Sequence, residues 1–429
     1  MRVDKLDFEA AEIHIRNSVF QIAARALELR INADSSDFTG PQRPCPCGQT
    51  ARYVDRRGKT FTSVLGDLRL QRAYYHCESC GKGVCPRDRT FGMDANPVTP
   101  GVLRMVGSAS AEVSFEISSG LLWDLAGLRI DAKQMERIAG RLGQEMAEDE
   151  RKDTTPFENG ELPPTLYLGI DGSGIPVRPE ELIGRAGKQA DGTAKTREGK
   201  LVIVWSAESR DKEGLPVRDP GSITYSAAIE SAATLDTNEC PSEFAGRVQR
   251  EADRRRFTEA QRTAVVADGA KYNWNVAFEL FPRAIHILDI CHAKEHLNEV
   301  AYAIYGKGNP EAEQWATLRK EELEDQRLEE LLAALNAHAD TCKEAKTCVG
   351  YVEGNLHRMR YREFRAMGLC ITSNIVESGC KVIFTTRFKH SAMHWSVAGA
   401  NKILAIRCYK RSGKIEDFFE RRAQQRMAA

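Results

Sequence analysis

The chain has 429 residues, 42% hydrophobic and 28% charged, with 61 basic and 61 acidic side chains and a formal net charge of zero. That is the composition of a folded protein with room for two or three domains, and it excludes a disordered chain or one that grips polyanions through overall charge. No apolar run approaches the length of a bilayer span and residues 1–30 lack the layout of a signal peptide, so a cytoplasmic protein with no membrane partner is expected. The twelve cysteines then read as thiols or metal ligands, not as a disulfide framework.

Neutrality on average conceals segregation. Residues 41–90 carry ten Lys/Arg against four Asp/Glu, residues 381–429 carry eleven against three, and residues 311–340 carry three against nine. Local basic patches of this kind form the electrostatic footprint on phosphates, although a single charged face is as often merely solvated.

In chain order, residues 4–32 have apolar residues at helical spacing and predict an amphipathic helix within an N-terminal segment, 1–38. A turn-rich break at Ala33–Pro44 leads into a β module, 39–95, in which Cys45 and Cys47 (PCPCG) are separated by β-like runs from Cys77 and Cys80 (CESCG). Two cysteine pairs on turns suit a tetrahedral structural Zn²⁺ site of the zinc-ribbon kind, with His76 and Cys85 as nearby substitutes. The one-residue spacing of the first pair is tighter than usual. Residues 96–157 read as helical. There Leu121, Leu122 and Leu125 suit one helix, Gly127 a sharp turn and Ile130–Ile138 a second helix, a helix-turn-helix pattern that exposes Lys133, Gln134 and Arg137 to DNA. The bland alternative is an ordinary helical hairpin.

Glu158–Pro164 reads as a linker, after which strands and helices alternate. LYLGID, KLVIVWSAES and SITYSAAIE are three successive strands, SEFAGRVQREADRRR a helix, TAVVADG a strand, WNVAFELF a helix and AIHILDI a fifth strand. That order predicts an α/β, ribonuclease-H-like domain over 165–292 and 361–429, interrupted by an all-helical insertion at 293–360.

Three acids stand out in this region. Asp171 and Asp268 follow apolar, β-branched runs and precede glycine, where a buried strand would end, and Glu377 lies in the helical SNIVESGCK. One such aspartate alone is usually a turn or cap residue. Together, two strand-end aspartates and a helical glutamate can hold Mg²⁺ (or Mn²⁺) for phosphoryl transfer. The adjoining KVIFTTRFKHSAMHWS supplies Lys381, Arg387, Lys389 and Trp395, a basic and aromatic stretch suited to a DNA strand. Asp289 and His292 close the fifth strand as neighbours of the cluster. His292 and His296 share a helix face, but no glutamate follows His292 as in a zinc protease.

The ordered series CPCG…YYHCESCG, LYLGIDGSG, VVADGAKYNWN, FPRAIHILDICHAKEHL, NIVESGCK, RFKHSAMHWSVAGANKILAIR and SGKIEDFF resembles the DDE transposases of bacterial insertion sequences, in particular the Kra-type group related to Mutator-like enzymes. The resemblance implies Asp171, Asp268 and Glu377 as the catalytic triad and relates Asp289 and His292 to the Asp/Cys-x-x-His signature of Mutator-like enzymes. It implies terminal inverted repeats and target DNA as partners, with a homodimer or higher assembly formed on DNA. Two rivals stand beside it: a catalytically silent or domesticated DNA-binding regulator, and a host ribonuclease-H-like nuclease.

Overall fold

Helix α1, Phe8–Ala33, begins at Asp7, whose carboxylate accepts the Ala10 N–H at 3.2 Å and caps the first turn. Its apolar face is only half used. Leu27 and Ile31 pack with buried Ala24 against Phe61, Leu68, Leu70 and Met93, whereas Phe8, Ile13, Ile15, Val19 and Ile22 are exposed. The computed structural model describes residues 7–94, 96–152, 154–156, 161–185, 187, 189, 192–232, 242–390 and 393–427. Glu158–Gly160 of the expected linker therefore lie outside the described residues.

The described chain divides into two units, residues 1–143 with 415–429, and residues 144–414. In the first, β1 (Gln42–Pro44), β2 (Thr50–Ser63), β3 (Gly66–His76) and β4 (Gly83–Val84) form an antiparallel sheet in sequence order. The short helix α2, Pro86–Thr90, ties this sheet to α1 through buried Arg87, which donates to the Ile31 and Gln71 carbonyls and pairs with Asp37. Helices α3 (Pro100–Glu112) and α4 (Phe115–Ala126) follow, then α5 (Ala132–Lys152). The C-terminal helix, Ile415–Met427, expected with the α/β region, belongs to this first unit. Arg104 accounts for its attachment, since it pairs with Glu416 and lies 4.6 Å from the Phe419 ring centre.

The second unit is built on a mixed five-stranded sheet. Its strands are β5 (Thr165–Pro176), β6 (Thr196–Ser206), β9 (Thr224–Ala228), β10 (Arg262–Ala267) and β11 (Ile285–Leu288), with a small hairpin, β7 (Ser209–Arg210) and β8 (Pro216–Val217), set apart from it. The spatial order is β11-β10-β5-β6-β9, antiparallel on the β6 side of β5 and parallel on the β10 side. Leu166–Ile170 of β5 and Leu201–Trp205 of β6 are buried without alternation, as strands covered on both faces must be. Helix α6 (Glu243–Arg254) covers β6 and β9, and α7 (Lys271–Leu280) lies between β10 and β11 in sequence.

After β11 the chain runs helically through α8 (Ile290–Tyr305), α9 (Pro310–Glu324), α10 (Leu328–Ala339), α11 (Lys343–Asn355) and α12 (Tyr361–Ala366). Helix α13 (Asn374–Cys380) then packs on β5, and α14 (Val397–Arg411) on β9. Gly169 permits the first contact: a Cβ there would lie 2.4 Å from Val376 of α13. One strand boundary differs from expectation. Strand β5 does not end at Asp171 but continues beside β6 to the Pro176–Thr196 pair, and only its parallel pairing with β10 stops, at Ile170–Ala267.

Candidate functional site

In the first unit, two turns bring four cysteines together. The Gly48 N–H bonds back to the Cys45 carbonyl at 2.9 Å, and the Gly81 N–H to the Cys77 carbonyl at 2.8 Å, so each turn closes a knuckle. Sγ of Cys45 lies 3.7 Å from Sγ of Cys80, and Sγ of Cys47 lies 3.7 Å from Sγ of Cys77. All four sulfurs stand within 4.8 Å of one another. Thiolates about 2.3 Å from one tetrahedral ion stand about 3.8 Å apart, so this group can hold structural Zn²⁺. The Cys77 thiol is drawn down to about 7, first by the Cys80 backbone N–H and then by neighbouring thiols. Cys45, despite the Cys47 backbone N–H, is pushed up to about 12 by burial and by hydrogen bonds to the other cysteines, so Cys77 is the first thiolate of the group. Neither His76 nor Cys85 joins the group among the described residues.

The helical pair α4–α5 turns at Gly127, held in the left-handed region at φ 67°. Asp131 caps α5 by accepting the Gln134 N–H at 2.8 Å. Lys133 and Arg137 are exposed and Gln134 is half-buried, all on the first two turns of that helix. Of the three leucines expected to pack α4, only Leu122 is buried. Leu125 is 74% exposed and Leu121 is also at the surface, because α4 offers a single narrow stripe to its neighbours.

In the second unit, strand register sets the acids side by side. Ala267 of β10 is level with Ile170 of β5 and with Leu288 of β11, so Asp268, Asp171 and Asp289 follow as the next residues on three adjacent parallel strands. Asp171 accepts the Gly172 N–H at 2.6 Å, and its other oxygen lies 3.1 Å from Cys380 Sγ. Asp268 accepts from the Ala270 N–H at 2.9 Å and from Asn273 Nδ2 at 2.8 Å, both on one carboxylate oxygen. Burial and, to a smaller extent, the charge of Asp268 raise the Asp171 carboxyl above the usual range.

Asp289 is fully buried and caps α8 by accepting the Cys291 N–H at 3.0 Å. It also receives His292 Nδ1 at 2.7 Å, the Ser373 hydroxyl at 2.6 Å and the Ser373 N–H at 3.1 Å. Burial opposes its ionisation, but these hydrogen bonds outweigh burial and hold it below the usual carboxylate range. Glu377, half-buried on α13, has a carboxylate oxygen within 4.8 Å of ligand atoms of both Asp289 and His292. Among the described residues this triple and the four cysteines are the groups that close to that spacing; Asp171, Asp268 and Glu377 do not. Asp171 is instead tied to the same helix through Cys380, one turn beyond Glu377. His296 turns away, bonding Glu299 at 3.0 Å.

The segment after Glu377 continues as a π-helical stretch, Lys381–Thr385, a form that recurs at functional sites. Lys381 is exposed, and exposed Lys389 reaches Ser173 Oγ at 2.7 Å, two residues beyond Asp171. Of the other two residues expected to meet DNA, Arg387 is buried and Trp395 half-buried. Arg387 is 1% exposed with its guanidinium 4.9 Å from the Trp395 ring centre, and Trp395 packs against Phe388 at 4.9 Å. Burial and the neighbouring Arg407 pull the Arg387 guanidinium down to about 10, as befits an internal strut. Asn273, Ser373 and Cys380 hold the acids without a clear sequence signal: Asn273 is five residues from Asp268, but Ser373 bonds Asp289 from 84 residues away and Cys380 meets Asp171 from 209 residues away.

A groove of about 570 Å³ lined by Arg185, Arg197, Lys200, Glu198 and Tyr272 opens alongside β6. Lys200 of the groove is level with Gly172 on the neighbouring strand, one residue from Asp171, so the groove adjoins that acid.

No protein-family model and no curated protein matches this chain. Among solved structures the chain is similar to the Drosophila P element transposase strand transfer complex, at 10% identity over 74% of this chain and 80% of that one, with a TM-score of 0.24.

Proposed function

We propose that the chain is a DNA transposase that cleaves and joins the ends of an insertion sequence through Asp171, Asp268 and Glu377. The observation that carries the reading is the register that sets Asp171 and Asp268 level on adjacent strands, with α13 bringing Glu377 to the same end of the sheet. The strand order supports a ribonuclease-H-like domain: the first three strands in sequence are antiparallel, and the fourth and fifth lie parallel to the first on its other side. The transposase part of the reading rests on the ordered motif series from CPCG to SGKIEDFF.

Mg²⁺ suits the donor set, because it prefers carboxylate oxygens and would offset the burial that raises the Asp171 carboxyl. Asp171, Asp268 and Glu377 would hold it, and bound there it neutralises charge on the transferring phosphoryl group. The protein's own part is to hold these acids aligned: Asn273 and the Ala270 N–H fix Asp268, while Cys380 and the Gly172 N–H fix Asp171. His292, kept cationic by Asp289, adds positive charge beside them. Lys381, Lys389 and the groove at Arg185, Arg197 and Lys200 offer phosphate contacts, and Lys133, Gln134 and Arg137 would read the terminal repeats.

The test is incubation of the full chain with a labelled element end and Mg²⁺, mapping any cut. Cleavage at the repeat boundary that EDTA abolishes is the expected result. Binding to the repeat without cleavage would instead favour the regulator, and equal cleavage of branched DNA lacking the repeat would favour the host nuclease.

A further inference from the structure

Tyr351 is distant in sequence from every acid of the site, yet its ring lies on the backbone that carries Asp268. A Cβ built on Gly269 would sit 2.3 Å from Tyr351 Cε2 and 3.2 Å from Cζ, the carbon bearing the hydroxyl. Glycine is required there for the ring to close on the site. His296 holds the ring edge-on from α8, with centroids 4.5 Å apart at 61°. The ring is thus fixed by the strand end that carries Asp268 and by a helix of the following all-helical stretch.

The hydroxyl is what this packing leaves unexplained. It is buried and has no hydrogen-bond partner among the described residues. A buried hydroxyl without a partner destabilises a fold, and phenylalanine would fill the same space without that cost. Asp268 and Asp289 are near enough for their charge, after burial itself, to push the phenol well above its ordinary range, so the group stays a donor. Asp268 does not accept from it; one of its oxygens is already engaged by Ala270 and Asn273. A donor held beside an acid cluster, unpaired with the acids, suits a third party that carries acceptor oxygens there.

We propose that Tyr351 contacts substrate, its hydroxyl donating a hydrogen bond to a non-bridging phosphate oxygen of the polynucleotide strand bound at Asp171 and Asp268. The inference rests on the phosphoryl-transfer reading above and adds to it a residue supplied by helix α11.

Tyr351→Phe tests it directly, because it removes the hydroxyl and keeps the ring. On the full chain, with the DNA end that the wild type cuts, the variant is expected to lose about ten- to a hundredfold in kcat, the value of one charge-assisted hydrogen bond. KM should move less than about threefold, and the Tm should stay level or rise, since an unpartnered buried hydroxyl is gone. Replacing the contacted phosphate oxygen with sulfur should slow the wild type more than the variant. A Tyr351→Phe protein that cuts within about twofold of wild type, or that loses Tm together with activity, overturns the assignment while leaving the phosphoryl-transfer reading intact. A wild type that cuts no DNA with Mg²⁺ overturns both.

Discussion

His292 Nδ1 donates to the buried carboxylate of Asp289 at 2.7 Å, and that hydrogen bond, with the carboxylate's charge, lifts the imidazole to about 9. The folded value exceeds the ordinary 6.5, so the pair's contribution to stability is fully present below about pH 6.5 and is lost as pH rises through 9. Asp289→Asn should return the His292 titration toward 6.5, read by NMR, and flatten the fall in stability between those pH values. A His292 that still titrates near 9 in Asp289→Asn would contradict the pairing.

The acids and the basic residues around them should separate by phenotype. Asp171→Asn, Asp268→Asn and Glu377→Gln are each expected to lower Mg²⁺-dependent cleavage by about a thousandfold or more. DNA binding, measured by anisotropy, should change less than about threefold. Lys389→Ala, in contrast, should weaken binding and reduce the slope of log K against log salt by about 0.9 if it meets one phosphate. Near wild-type cleavage by any of the three acid variants would remove that acid from the proposed triad.

How much of this was legible in sequence depended on range. The unbroken apolar runs LYLGI and LVIVW mark strands buried on both faces, and the acids that follow TAVVA and IHIL stand at strand ends as read. Asp171 is different: its strand continues along β6 after β10 has ended, a distinction that needs the sheet order. Arg387 reads as one cation among several in a basic stretch, and nothing in its spacing shows that Trp395 and Phe388 enclose it. Tyr351 gave no signal, because its contact with Gly269 joins segments far apart in the chain. The Cys-x-Cys pair was the reverse case. Its tight spacing reads as a weak half-site, yet the Gly48 turn brings both sulfurs to within 3.7 Å of those of the second pair.

The cysteine group predicts about one zinc per chain, with the metal contributing to folding of the β1–β4 sheet. Cys77→Ser, which removes a buried ligand, should abolish zinc measured by mass spectrometry and expose the sheet to proteolysis near residues 42–84. Cys85→Ser should keep the metal, since Cys85 stands outside the group. Equal zinc content in both variants would rule the site out.

Glu150 offers the sharpest test of stability against pH. Its carboxylate takes Arg247 at 3.2 Å, Arg250 at 3.3 Å and Arg254 at 3.2 Å, in a place where burial alone would raise its pKa. The three guanidinium groups overcome burial and lower it from 4.5 to about 2. A depressed carboxylate contributes stability that is present above the unfolded value of 4.5 and is lost as pH falls toward 2. Glu150→Gln leaves Arg250 without its carboxylate, while Arg247 and Arg254 keep Glu230 and Glu251, so it should cost about 3 kcal/mol at pH 7, the free-energy equivalent of the lowered pKa. Urea unfolding at pH 7, 4 and 3 should show the gap between wild type and variant narrowing with acidity, because protonation removes from the wild type what the substitution removes from the variant. A gap that stays constant down to pH 3 would mean that Glu150 acts through packing and not through its charge.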